Sequence, residues 1–189
     1  MEKHHFQEVD FGDKPVTMQS IAQIKPVKSQ LLSAADQKRL ANIHKKLLMT
    51  VSRAPLGTEY GECYNLNMER LTPQPKAGEK LGRVRLPDFP EPYIAVHNHP
   101  NGLTFSVGDI QQVLERQNLK MLTAVGNNGR VYAMEKASSF SPEPLKALMD
   151  ELKERYSEYV QDGNIHLQLV ETFFERAEQY GLHLYTSSD

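Results

Sequence analysis

Two histidines, a serine and an aspartate stand in one short run, His97-Asn98-His99-Pro100 followed by Ser106 and Asp109. Imidazole and carboxylate are ordinary zinc donors, and three protein ligands plus a water is the usual form of a catalytic zinc site. Spacing makes the run more than composition. Tyr93-Ile94-Ala95-Val96, just ahead of the pair, is apolar, aromatic and β-branched, which predicts a buried strand. Side chains two apart on a strand share a face, so His97 and His99 project together from its end. Pro100-Asn101-Gly102 breaks that strand, because proline cannot donate to a ladder and Asn-Gly favours a turn. Ser106 and Asp109 then have the form of a helix N-cap and its first-turn acid, with Ile110, Val113 and Leu114 as an apolar stripe. Strand, turn and helix start bring His97, His99, Ser106 and Asp109 to one point. The bland reading, histidines that merely hydrogen-bond near a turn, is the better account of an isolated His-x-His and a poor one of the whole run. Ser106 and Asp109 also have a capping job worth about 1 kcal/mol, which is compatible with metal binding.

The elements that must position these groups are legible on either side. Ser33-Ala34-Ala35-Asp36 has capping-box form, and Leu40, Ile43, Leu47, Leu48 and Val51 recur at helical spacing, predicting a helix that ends near Ala54 before Pro55 and Gly57. Thr58 to Leu66 reads as a strand. Thr72 to Pro92 is rich in proline, glycine and charge, with Val84 to Leu86 as its only strand-like core. It reads as a long excursion beside the site, and loops of that length are often functional. Leu119 to Val125 and Arg130 to Glu135 flank Gly126-Asn127-Asn128-Gly129, a hairpin signal. Two final helices are expected around Glu143 to Gln161 and Ile165 to Tyr180, separated by Asp162-Gly163-Asn164. The first thirty residues read as an extension, with Val16 to Ile24 as a short strand. The expected organisation is an extension over 1–30, a catalytic domain over 31–140 and a helical extension over 141–189 packed on the same domain. By element order this is an α/β or α+β fold, a mixed central sheet flanked by helices with a C-terminal helical pair.

The run His97, His99, Pro100, Ser106 and Asp109 resembles the signature of the JAMM or MPN+ zinc metalloproteases, in which HxHP precedes SxxD and a glutamate lies on an earlier strand. Its HNHP form, with glycine soon after and isoleucine behind the aspartate, is similar to the bacterial JAB branch that includes the RadC-like proteins. Six residues separate His99 from Ser106, one fewer than is common in the family. The resemblance is sharp over about 92–114 and architectural over 31–136. It implies a cytidine-deaminase-like JAB/MPN fold, zinc (Zn2+) held by His97, His99 and Asp109, and cleavage of an amide or isopeptide bond in a protein or peptide substrate, a ubiquitin-like or peptide conjugate among the options. A hydrolase of this kind needs a base, commonly a glutamate, to take the proton of the attacking water. Glu59 and Glu62 both lie on the first predicted strand; three apart, they face opposite ways and only one can serve. The resemblance favours Glu59, placed just after the first helix, with Glu62 in reserve. Ser106 is then the expected donor to the oxyanion.

The bounding facts agree with one enzyme-sized domain. The chain has 189 residues, 22 basic and 24 acidic, for a formal net charge of -2. That balance gives no general pull toward nucleic acid or membrane. Cys63 is the only cysteine, which excludes an intrachain disulfide and reads as a small buried residue in a reducing compartment. No apolar run approaches the roughly 18 residues of a membrane span, the N-terminal stretch lacks a signal-peptide core, and cytoplasmic residence is the expectation. His4 and His5 read as solvated, His44 as lying on a solvated face beside Lys45 and Lys46, and His166 and His183 as lacking partners at ligand spacing. Lys38, Arg39, Lys45 and Lys46 form a basic helix face, more often plain surface than a nucleic-acid patch. Two competing classes stand beside the hydrolase: a non-catalytic JAB-fold interaction module, and a RadC-like nucleic-acid-associated protein, which near-neutral charge disfavours. Oligomeric state is not legible.

Overall fold

The computed structural model describes residues 10–78, 84–157 and 163–187. His4 and His5, part of the 72–92 excursion and residues 158–161 of the expected Glu143–Gln161 helix lie outside these residues; that helix ends earlier than expected, at Arg155 with Tyr156 as its C-cap. Two layers of helix enclose one mixed sheet. Six strands run in the order β2-β1-β3-β4-β5-β6, with β1 at Tyr60–Asn65, β2 at Lys76–Ala77, β3 at Tyr93–His99, β4 at Leu119–Gly126, β5 at Val131–Lys136 and β6 at Leu182–Thr186. Only β3 and β4 pair in parallel. That pairing requires a crossover, supplied by helix α3, Val107–Glu115.

Pleating sorts the side chains to two cores. Ile94, Val96, Met121, Val125, Val131 and Ala133 point to one face, which is covered by α1 (Met18–Ala22) and α2 (Ala34–Val51). Alternate residues such as Ala95, Leu122, Ala124 and Met134 point to the other, under α3, α4 (Pro142–Arg155) and α5 (Gly163–Ala177). Both faces are buried, so β3 reads as a continuous apolar run ahead of its histidines, as doubly covered strands do.

Two local expectations are corrected, and two short strands join the predicted elements. Val16 to Ile24 is not a strand: Thr17 accepts from Ser20 N–H at 3.0 Å and Ser20 Oγ accepts from Thr17 N–H at 2.9 Å, a capping box that starts α1. Val84 to Leu86 forms no strand; Leu86 is instead buried in the core against Gly61, where an added Cβ would sit 2.9 Å from the leucine side chain. The ladder in this excursion is the two-residue β2, paired with Tyr60 and Gly61. Beyond the helical pair, β6 adds an antiparallel edge to β5, entered through Gly181 at φ 75°, a conformation that favours glycine.

Candidate metal centre

β3 is paired to β1 as far as His97, opposite Gly61, and to β4 through its last residue, with His97 opposite Ala124 and His99 opposite Gly126. Two flanking ladders fix His97, and the β4 ladder alone carries on to fix His99. The chain then turns through Pro100, with Gly102 N–H returning to the His99 carbonyl at 3.1 Å and Gly102 at φ 75°. Phe105, fully buried, packs its ring 6.5 Å from that of His97 and 6.4 Å from that of His99, measured between centroids. Ser106 caps α3 reciprocally: its hydroxyl accepts from Asp109 N–H at 3.2 Å, and its own N–H donates to Asp109 Oδ2 at 2.8 Å. The same hydroxyl donates to Oδ2 at 2.7 Å. Helix start and aspartate rotamer are therefore set by one motif.

His97, His99 and Asp109, all buried, converge. The two histidine Nε2 atoms lie 2.8 Å apart, His97 Nε2 is 3.4 Å from Asp109 Oδ1, and His99 Nε2 is 3.3 Å from Asp109 Oδ2. Tetrahedral ligands on bonds of about 2.05 Å stand about 3.3 Å from one another, so two edges already fit and the third would open by about 0.5 Å. His99 Nδ1 donates to the Leu103 carbonyl at 3.0 Å, the kind of outer bond that aims Nε2 at a metal. Residue types, burial and separations fit a metal ion; they do not choose which metal.

Charge without the ion is consistent with this. Burial alone would lower His99, but the hydrogen bond and charge of Asp109, with Glu59 and the Leu103 carbonyl, push it up to about 9. Burial would likewise raise Asp109, and the two histidines outweigh it, holding the carboxyl well below its usual range. A cation entering this triangle must displace protons, as metal binding to imidazole generally does.

The two candidate bases part company. Glu59 lies one residue before β1, and the Gly61–His97 register carried back places it across from His99. Its carboxyl is raised chiefly by burial and by Asp109, against the opposing pull of His97 and His99, and it accepts from Val84 N–H at 3.0 Å. Glu62 pairs across from Val96, so it points to the other face, where Arg70 lies 3.0 Å from its carboxylate. The pleat brings Glu59 to the histidines and takes Glu62 away.

His44 is not on a solvated face. It is buried on α2 with Nε2 2.8 Å from Thr123 Oγ1, and burial, then the charge of His97, pushes it down to about 3. Its signal was present: His44 falls at helical spacing from Leu40, Leu47, Leu48 and Val51. Cys63 is buried and free, its thiol pushed up to about 12 by burial. The residue that sequence reasoning passed over is Asn98, fully buried between the histidines. No protein-family model, curated protein or solved structure matches this chain. Among the described residues no helix is long and apolar enough to cross a membrane.

Proposed function

We propose that this chain is a metal-dependent hydrolase of the JAMM type, cleaving an amide or isopeptide bond in a protein or peptide on a JAB-like fold. The observation that carries the reading is the convergence of His97, His99 and Asp109 on the sheet face shared by a partly desolvated Glu59. Zinc held by the three ligands would act as a Lewis acid and lower the pKa of water toward about 7. Glu59, with its carboxyl raised by burial, is suited to take the water proton and hand it to the leaving amine. Ser106 can serve the oxyanion by exchanging its bond to Asp109 Oδ2 for one to the substrate oxygen. Phe105 walls the histidines with apolar surface, which strengthens each polar interaction inside.

A groove of about 820 Å³, lined by Tyr60, Pro73, Lys76, Arg85, Leu86 and Pro87, lies beside β1 and β2, and the excursion that forms much of its lining also touches Glu59 through Val84 N–H. That excursion is the candidate wall for substrate selection. The test is a peptidase and isopeptidase screen of zinc-loaded wild type beside Glu59→Gln. Turnover that is lost by about 10²–10⁴-fold in the variant, with zinc retained, is the expected result. Equal activity in both would assign the base elsewhere, and activity insensitive to metal removal would overturn the reading.

A further inference from the structure

We propose that Asn98, the residue between the two histidines, is the positioning residue for Glu59. The proposal rests on the reading of Glu59 as the base. Glu59 sits just outside the β1 ladder, which begins at Tyr60, so the strand alone does not hold it. Asn98 supplies the missing grip. Its Oδ1 accepts from Tyr60 N–H at 2.7 Å and its Nδ2 donates to the Thr58 carbonyl at 3.2 Å. These two groups belong to the peptide units on either side of Glu59, so one side-chain amide clasps the backbone that carries the carboxylate.

The clasp is anchored. The second Nδ2 hydrogen of Asn98 donates to Asn127 Oδ1 at 3.0 Å, and Asn127 in turn donates to the Lys14 carbonyl at 2.8 Å. Asn127 N–H donates to the His99 carbonyl at 3.0 Å. Both amide hydrogens of Asn98 and its oxygen are thus engaged in a buried site, which leaves one orientation that satisfies them. Because Asn98 is the chain link between His97 and His99, the element that aims the ligands also sets where the base stands. Glu59 is met from the other side by the excursion, through Gly78 N–H to its carbonyl at 2.8 Å and Val84 N–H to its carboxylate. Those contacts do not tie it to β3; Asn98 does. A misplacement of about 1 Å at a reacting group can lower a rate about 10²-fold, so the clasp matters to turnover more than to binding.

The test uses full-length Asn98→Ala, Asn98→Ser and Asn127→Ala beside wild type, with three readouts: amide hydrogen exchange, cobalt(II) affinity of the metal-free protein, and hydrolysis kinetics with zinc. In Asn98→Ala the Tyr60 amide should exchange about tenfold faster while the Val96 and Leu122 amides are unchanged. The kcat should fall about 10–100-fold with KM within about twofold, and cobalt affinity should stay within about threefold, because no ligand is removed. Asn98→Ser, which keeps one hydroxyl for two partners, should fall between and covers the case in which the alanine variant does not fold. Asn127→Ala keeps both Asn98 bonds to the Glu59 segment but removes their anchor, so its kcat should fall by less than that of Asn98→Ala. Unchanged Tyr60 exchange, an unchanged kcat, or a kcat loss tracked by lost cobalt affinity would each overturn the proposal. A wild type without metal-dependent hydrolysis would remove the hydrolase reading instead, and Tyr60 exchange would still decide whether Asn98 holds the Glu59 segment.

Discussion

Asp109 and Glu135 are both buried carboxylates, one on each side of the same sheet, and they are satisfied in opposite ways. Glu135 accepts from Ser29 Oγ, from Gln30 N–H at 2.8 Å and from Leu31 N–H at 3.1 Å. Its partners come from one loop, and the result is a staple that fastens the 29–31 segment to β5. Asp109 is half-saturated by Ser106, and its remaining neighbours are two imidazoles whose Nε2 atoms face each other. A buried carboxylate surrounded by backbone donors is structural economy. One that is surrounded by other ligands, with a raised Glu59 near them, is organised around something the chain itself does not supply.

The contrast predicts a double dissociation, the largest effect first. Asp109→Ala should abolish zinc binding and cost the metal-free fold at least the roughly 1 kcal/mol of the lost capping box. Glu135→Ala should leave zinc binding intact and lower stability by about 2–4 kcal/mol, because several buried donors lose their acceptor. Urea denaturation and metal titration of the two variants read both arms. Zinc retained in the first, or zinc lost in the second, would invert the comparison.

His44 sharpens it from the α2 side. Its pKa is lowered from the ordinary 6.5 to about 3, so the folded state resists a proton that the unfolded chain accepts. The contribution is full above pH 6.5 and is lost as pH falls toward 3, with a ceiling of about 5 kcal/mol. Denaturation between pH 4 and 8 should show a shallower acid limb in His44→Leu than in wild type. Parallel limbs would mean that other groups carry the acid sensitivity. Ser106→Ala should have the smallest effect: about 1 kcal/mol from the lost cap and a roughly 10–100-fold weaker metal affinity from the freed Asp109. Unchanged affinity would show that the aspartate is held without it.

Much of this was legible because local rules and tertiary structure agree. The apolar run before His97 is a strand, Ser106 and Asp109 do start a helix, and Gly126 to Gly129 does turn a hairpin. The misses share a physical cause, tertiary context acting on short or polar segments. The polar neighbours Lys45 and Lys46 masked the burial of His44. β6 is a five-residue edge strand whose alternation, Leu182 and Leu184 around His183, gains meaning only once β5 lies beside it. Asn98 was unread because period-two reasoning assigns it to the face away from the histidines; that it reaches Thr58 and Tyr60 depends on how closely β1 approaches, which spacing along one strand does not reveal.

The central claim is that His97, His99 and Asp109 form one metal centre. Metal content of the protein purified without a histidine tag, measured by elemental analysis on wild type and His97→Ala after equilibration with zinc and removal of excess, tests it most directly. About one zinc per chain in wild type and almost none in the variant is the predicted result; no zinc in wild type, or equal zinc in both, would contradict it.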